Sequence, residues 1–113
     1  SHTALLAEVL EHVERGMPHE TSAPLQGKAV AVVMTGAADE HFLATEGLRS
    51  KLASFFAAQV LSPSLFLPSS AFNADKTLTA EAADTATLHG RALVELAAAT
   101  REGANLRALR PLV

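Results

Sequence analysis

"KAVAVVMTG" (Lys28–Gly36) is a continuous apolar run of strand length, rich in β-branched residues, that closes on a threonine and a glycine. A strand with one wet face alternates apolar and polar side chains, and nothing alternates here from Ala29 to Met34. Continuous apolarity predicts a parallel strand covered on both faces by helices, with Val30–Met34 its surest part.

The flanking segments fit that layering. Upstream, Leu5, Leu6, Val9, Leu10 and Val13 recur at helical spacing against Glu8, Glu11, His12 and Glu14, which predicts an amphipathic helix over Ala4–Val13. Thr3 is placed to cap it, and Gly16 to end it. "MPHETSAPLQG" (Met17–Gly27) holds two prolines and reads as an exposed loop.

Downstream, Leu43, Leu48, Leu52, Phe55 and Phe56 mark the inner side of a helix expected over about Glu40–Gln59. "VLSPSLFL" (Val60–Leu67) is a second apolar run, but Pro63 has no N–H for a ladder bond, so the paired part is expected at Ser64–Leu67. A polar loop follows. Thr79 then caps a last helix, Ala80–Thr100, with Glu81 near its positive end. The order helix, strand, helix, strand, helix is that of α/β layering.

At 113 residues the chain is one domain at most, and residues 1–113 read as a single, partial α/β domain. Two strands are too few for a stable sheet, and a doubly wound sheet of five needs on the order of 150 residues at about 30 per βαβ unit. The chain therefore reads as the second half of such a domain, or as one protomer that completes its sheet with another chain.

Composition removes several functions. A net charge of −3 without a dense Lys/Arg cluster leaves no footprint for nucleic acid or for an anionic membrane. The absence of cysteine removes disulfides, thiol chemistry and zinc-thiolate sites, and fits a cytoplasmic protein. No apolar stretch approaches the ~18 residues of a membrane span. His12, His19 and His41 each adjoin a glutamate, but no HExxH or paired i,i+4 histidines occur, so no metal site is expected. No G-x-S-x-G elbow supports a hydrolase.

In open α/β sheets the ligand crevice lies beyond the carboxyl ends of the strands, and Thr35–Glu40 occupies that position. Gly36 permits close backbone approach, and free N–H groups at the next helix suit an electron-rich ligand edge. Asp39 and Glu40 would repel a phosphate. A flavin ring or a carbonyl suits the turn better.

Four stretches together resemble the carboxyl-terminal half of the NADPH-dependent FMN reductases. "SHTALLAEVLEH" (Ser1–His12) is similar to the helix after the family's flavin-contacting loop. "LQGKAVAVVMTGAADEHFLATEGLRSKLASFFAAQVL" (Leu25–Leu61) resembles its L-x-G-K, apolar strand, T-G-G, x-H-x-L and L-R-P series. "SLFLPSSAFNADKTLT" (Ser64–Thr79) resembles its short strand and following loop, and the last helix matches in position. His2, Ala4, Ala7, Glu11, Ala37 and Ser50 depart from the family pattern, and its phosphate-binding loop belongs to a turn upstream of these stretches.

The resemblance implies a flavodoxin-like three-layer sandwich, of which this is the second half. It also implies bound FMN, hydride transfer from NAD(P)H, and either a homo-oligomer or pairing with a missing amino-terminal half. The cofactor-binding residues it implies are Thr35, Gly36, Ala37 and His41 at the turn, with Ser1, His2 and Thr3 at the other edge of the flavin. No catalytic side chain is required, because the flavin carries the redox chemistry. The alternative function is a degenerate, non-catalytic half-domain acting as an assembly or interaction subunit.

Overall fold

The computed structural model describes residues 2–36 and 45–112, with side chains from Leu5 onward. Within them the chain is mixed α/β. Helix α1 (His2–Glu11) precedes strands β1 (Ala29–Val30) and β2 (Val33–Gly36). Helix α2 (Glu46–Ser50) runs into a π-helical turn (Lys51–Phe55) and is followed by β3 (Gln59–Val60) and β4 (Leu65–Pro68). A 3₁₀ turn (Ser69–Ala71) leads towards the long α3 (Ala80–Glu102) and the short α4 (Ala104–Ala108).

Both strand pairs are parallel. Ala29 pairs with Gln59 and Val30 with Val60; the second ladder runs from Val33–Leu65 to Gly36–Pro68. Residues 31–32 separate β1 from β2, whereas the longer segment 61–64 separates β3 from β4. Pro63, joined to Ser62 by a cis peptide, sits in that excursion, where its missing N–H costs the ladder nothing. Bonds from Leu61 N to Val30 O and from Leu65 N to Val32 O, both 2.9 Å, pin the strand on either side.

Arg49 of α2 fills the excursion from its side. Its guanidinium donates to Leu61 O at 2.8 Å, to Ser64 Oγ at 3.0 Å and to Ser62 Oγ. One arginine thus satisfies a carbonyl and two hydroxyls that have left the sheet.

The expected second helix ends early. Phe56 N donates to Lys51 O, the widened spacing of a π turn, and Ala57 then takes a left-handed φ of 59°. Gln59, expected in the helix, is freed to pair, and its N–H donates to Lys28 O at 2.8 Å. The turn also separates the two phenylalanines. Phe56 enters the core, while Phe55 lies outside beneath the Arg15 guanidinium, 3.2 Å from its ring centroid.

Two apolar clusters hold the layers together. Leu10, Val32, Leu52, Phe56 and Ala58 form one, joining α1, the β1–β2 junction and the π turn. Leu65, Leu67, Ala71 and Ala82 form the other, between β4 and the start of α3. Coverage of the first strand on both faces is not realised along its whole length: Val32 is 5% exposed but Val33 57%. Leu5, Leu6 and Val9, expected on the inner face of α1, are likewise exposed, whereas Leu10 is buried.

Met17–Gly27 is not a wholly exposed loop either. Leu25 packs on the first cluster and Gly27 is buried. Two carboxyl-terminal arginines, Arg107 and Arg110, fasten this loop. Arg110 donates to Gly16 O at 2.6 Å, and Gln26 Nε2 donates to Arg107 O at 3.0 Å.

Candidate functional site

The parallel β2–β4 ladder brings two strand ends to one place. Gly36 is in register with Pro68 and Thr35 with Leu67, so Thr35 and Gly36, expected at a turn, are the last paired residues of β2 and end level with the start of the 3₁₀ turn that follows β4. Ser69 Oγ lies 3.5 Å from Gly36 O and donates to it. This is the carboxyl end of the strands, where open α/β folds bind ligands.

A cavity of about 220 Å³ lies between β4 and α3, lined by Phe66, Leu67, Ser70, Thr79, Glu81 and Thr85 among others; neither Thr35 nor Gly36 lines it. The sequence places the start of α3 against it through the Thr79 cap. Thr79 has extended backbone, its Oγ1 accepts from Ala82 N at 3.2 Å, and its carbonyl accepts from Ala83 N at 2.9 Å. Thr85 turns its hydroxyl inward along the helix and donates to Glu81 O at 3.1 Å. The cavity is smaller than the ~300–1,000 Å³ of a typical small-molecule pocket, so it has room for one edge of a ligand.

The segment leading into α3 is built, not slack. Phe72 and Leu78 bridge antiparallel, and Asn73 Nδ2 donates to Thr77 Oγ1 and Leu78 O, each at 3.1 Å. Asp75 Oδ1 accepts from Thr77 Oγ1 at 2.6 Å and from Thr77 N at 3.1 Å. The Thr77 hydroxyl, and then its N–H, hold the Asp75 carboxyl below its ordinary pKa. Phe72 packs against the Leu65–Ala82 cluster and fixes this loop to the wall of the site.

A flavin ring fits this chemistry and a phosphate does not. The ring offers a flat apolar face with alternating donors and acceptors, and the cavity presents Phe66 and Leu67 beside hydroxyls and the Glu81 carboxylate. A carboxylate accepts a hydrogen bond from a neutral N–H but repels a phosphate, and among the described residues no cation lines the cavity to offset that.

Of the sequence-derived site residues, Thr35 and Gly36 stand at this strand end, Thr35 exposed and Gly36 half-buried. His2 and Thr3 open α1, where only their backbone is described. Ser1, Ala37 and His41 lie outside the described residues. Ser70, Glu81 and Thr85 were not singled out as site residues; Glu81 carried only the signal of an acidic residue at a helix start. Among the described residues no cluster of His, Asp or Glu could hold a metal ion, and no helix is long and apolar enough to cross a membrane.

Comparison of the chain with protein-family models, with curated proteins and with solved structures finds no match.

Proposed function

We propose that this chain is a flavodoxin-like, cytoplasmic component of an NAD(P)H-dependent FMN reductase, and that it seats the edge of the flavin ring. The observation that carries the reading is the β2–β4 ladder. It ends with Gly36 level with Pro68, beside a ring-compatible cavity at the start of α3.

In this reading Thr35 and Gly36 approach the ring from β2, and Ser70 and Glu81 offer polar partners from the opposite side. The resemblance adds Ala37, His41 and Ser1–Thr3 to the same task. FMN, when bound, supplies the hydride chemistry between nicotinamide and acceptor. The residues named here bind and orient. Phe66 and Leu67 keep water from one edge of the site. The phosphate must be held by residues other than those lining this cavity, supplied by an amino-terminal half or by a second copy.

The test is a titration of the full chain with FMN, read by quenching of flavin fluorescence, followed by NADH and NADPH oxidation at 340 nm. Sub-micromolar binding with turnover of either nicotinamide supports the reading. A folded chain that does neither overturns it.

A second reading, the non-catalytic assembly subunit, is favoured by the exposure of Val33 within the β2–β4 ladder. A parallel pair with an exposed apolar residue invites cover from another chain. Val33→Lys then lowers the native mass to that of a monomer without unfolding the chain; an unchanged mass, whether the parent is monomeric or associates elsewhere, rejects it.

A further inference from the structure

At the amino-terminal end of β1, away from the strand ends just described, lies a cavity of about 450 Å³. Gly27, Lys28 and Ala29 line it from the strand side; Ala97, Thr100 and Arg101 from α3; and Arg107 from α4. Three of the chain's nine lysines and arginines meet here, and among the described residues no carboxylate lines the cavity. In a chain of net charge −3 this concentration does not follow from composition.

We infer that this cavity is a binding site for a phosphate-bearing small molecule. The end of a helix ordinarily repels an anion, because its last carbonyls point outward. Here those carbonyls are engaged: Ala99 O accepts from Gly103 N at 2.8 Å, and Thr100 O and Arg101 O both accept from one nitrogen of Arg107. That arrangement sets a guanidinium charge against the partial negative charge of the helix end and fixes the Arg107 side chain before any ligand arrives. Arg107 is held from the other side by Gln26, whose amide donates to its carbonyl.

Lys28 and Arg101 make no side-chain hydrogen bond or ion pair among the described residues, so both are available to a ligand. Thr100, 5% exposed, forms a floor with its hydroxyl already given to Ala97 O at 3.0 Å. A compact, multiply charged oxyanion matches two unpaired cations and a fixed guanidinium better than a single carboxylate does. The volume lies within the range of small-molecule pockets. The inference rests on this cavity and its charge, and is independent of the flavin reading.

The experiment is an amide NMR titration of the full chain with inorganic phosphate and with pyrophosphate, against sodium chloride at equal ionic strength. Expected are shifts confined to Lys28, Ala29, Thr100, Arg101 and Arg107, with pyrophosphate the tighter ligand. Lys28→Gln and Arg101→Gln should each weaken pyrophosphate by about tenfold, the effect of one charge-assisted bond. Arg91→Gln, elsewhere on α3, should change nothing. Shifts that chloride reproduces, shifts centred on another surface, or an unchanged affinity in a cooperatively folded Lys28→Gln/Arg101→Gln variant would each overturn the site.

Discussion

The Cα of Arg107 lies 2.9 Å from the position that a Cβ on Gly27 would occupy, and Gly27 has a φ of +71°. Backbone meets backbone there, so neither partner can swing aside. Gly27→Ala is expected to destabilise the chain by at least ~2 kcal/mol, from left-handed strain together with the collision. Gly90, inside α3, has open space where its Cβ would be, and Gly90→Ala should stabilise by about 0.5–1 kcal/mol. Urea unfolding of both variants checks the pair; equal effects would contradict the packing described.

Arg49→Ala removes the guanidinium bonds that tie α2 to residues 61–64 and leaves a carbonyl and two hydroxyls to find water. A loss of about 2–3 kcal/mol is expected, in the range for charge-assisted bonds in a half-buried setting. Arg49→Lys, a point charge without the planar fork, should fall between Ala and the parent. Denaturant midpoints decide it, and a Lys variant as stable as the parent would mean that the fork geometry is unimportant.

Two carboxylates should set the acid limb of local stability. Glu20 Oε1 accepts from the N–H groups of Arg15 and Met17, each at 3.0 Å, and these bonds hold its pKa below the ordinary value, as Thr77 does for Asp75. A depressed folded-state pKa contributes stability that is fully present above the unfolded value, about 4.3 for Glu and 3.9 for Asp. It is lost as pH falls through the lower folded value. Carboxyl carbon shifts should titrate below those references, and amide exchange at Met17 and Thr77 should quicken only at the more acid pH. Glu20→Gln and Asp75→Asn should abolish the pH dependence each in its own loop.

Thr79→Ala should cost about 1 kcal/mol through the lost cap, with Thr79→Ser retaining most of it. Because Thr79 also lines the cavity at the carboxyl end of β4, the Ala variant should weaken FMN in the titration described above while Ser does not. Parallel loss of stability without any change in a measured flavin affinity would separate the cap from the site.

Periodicity made much of this legible. The 80–100 helix, its Thr79 cap and the pairing expected at Ser64–Leu67 rest on local pattern, and α3 and β4 stand within a residue or two of where that pattern puts them; the single strand expected at Val30–Met34 is instead broken at residues 31–32 into β1 and β2, which pair in separate ladders. The end of the second helix was hidden. "ASFFAAQ" (Ala53–Gln59) is made of acceptable helix residues, and only the partner strand, through Lys28 O, decides that Gln59 pairs. Arg49 gave no signal because its acceptors come together only once the excursion at Pro63 has formed. At the candidate site the strand-end rule located Thr35 and Gly36. Ser70 and Thr85 become neighbours only when the 3₁₀ turn folds the chain back onto α3.

The bond from Gln26 to Arg107 spans 81 residues of chain. During synthesis at ~5–20 residues per second, the loop around Gly27 waits roughly 4–16 s after its own emergence before its fastening is made. A contact of that separation carries a loop-closure cost, and it cannot form before α4 has been made. Until α4 emerges, the amino-terminal end of β1 lacks the wall that Arg107 supplies.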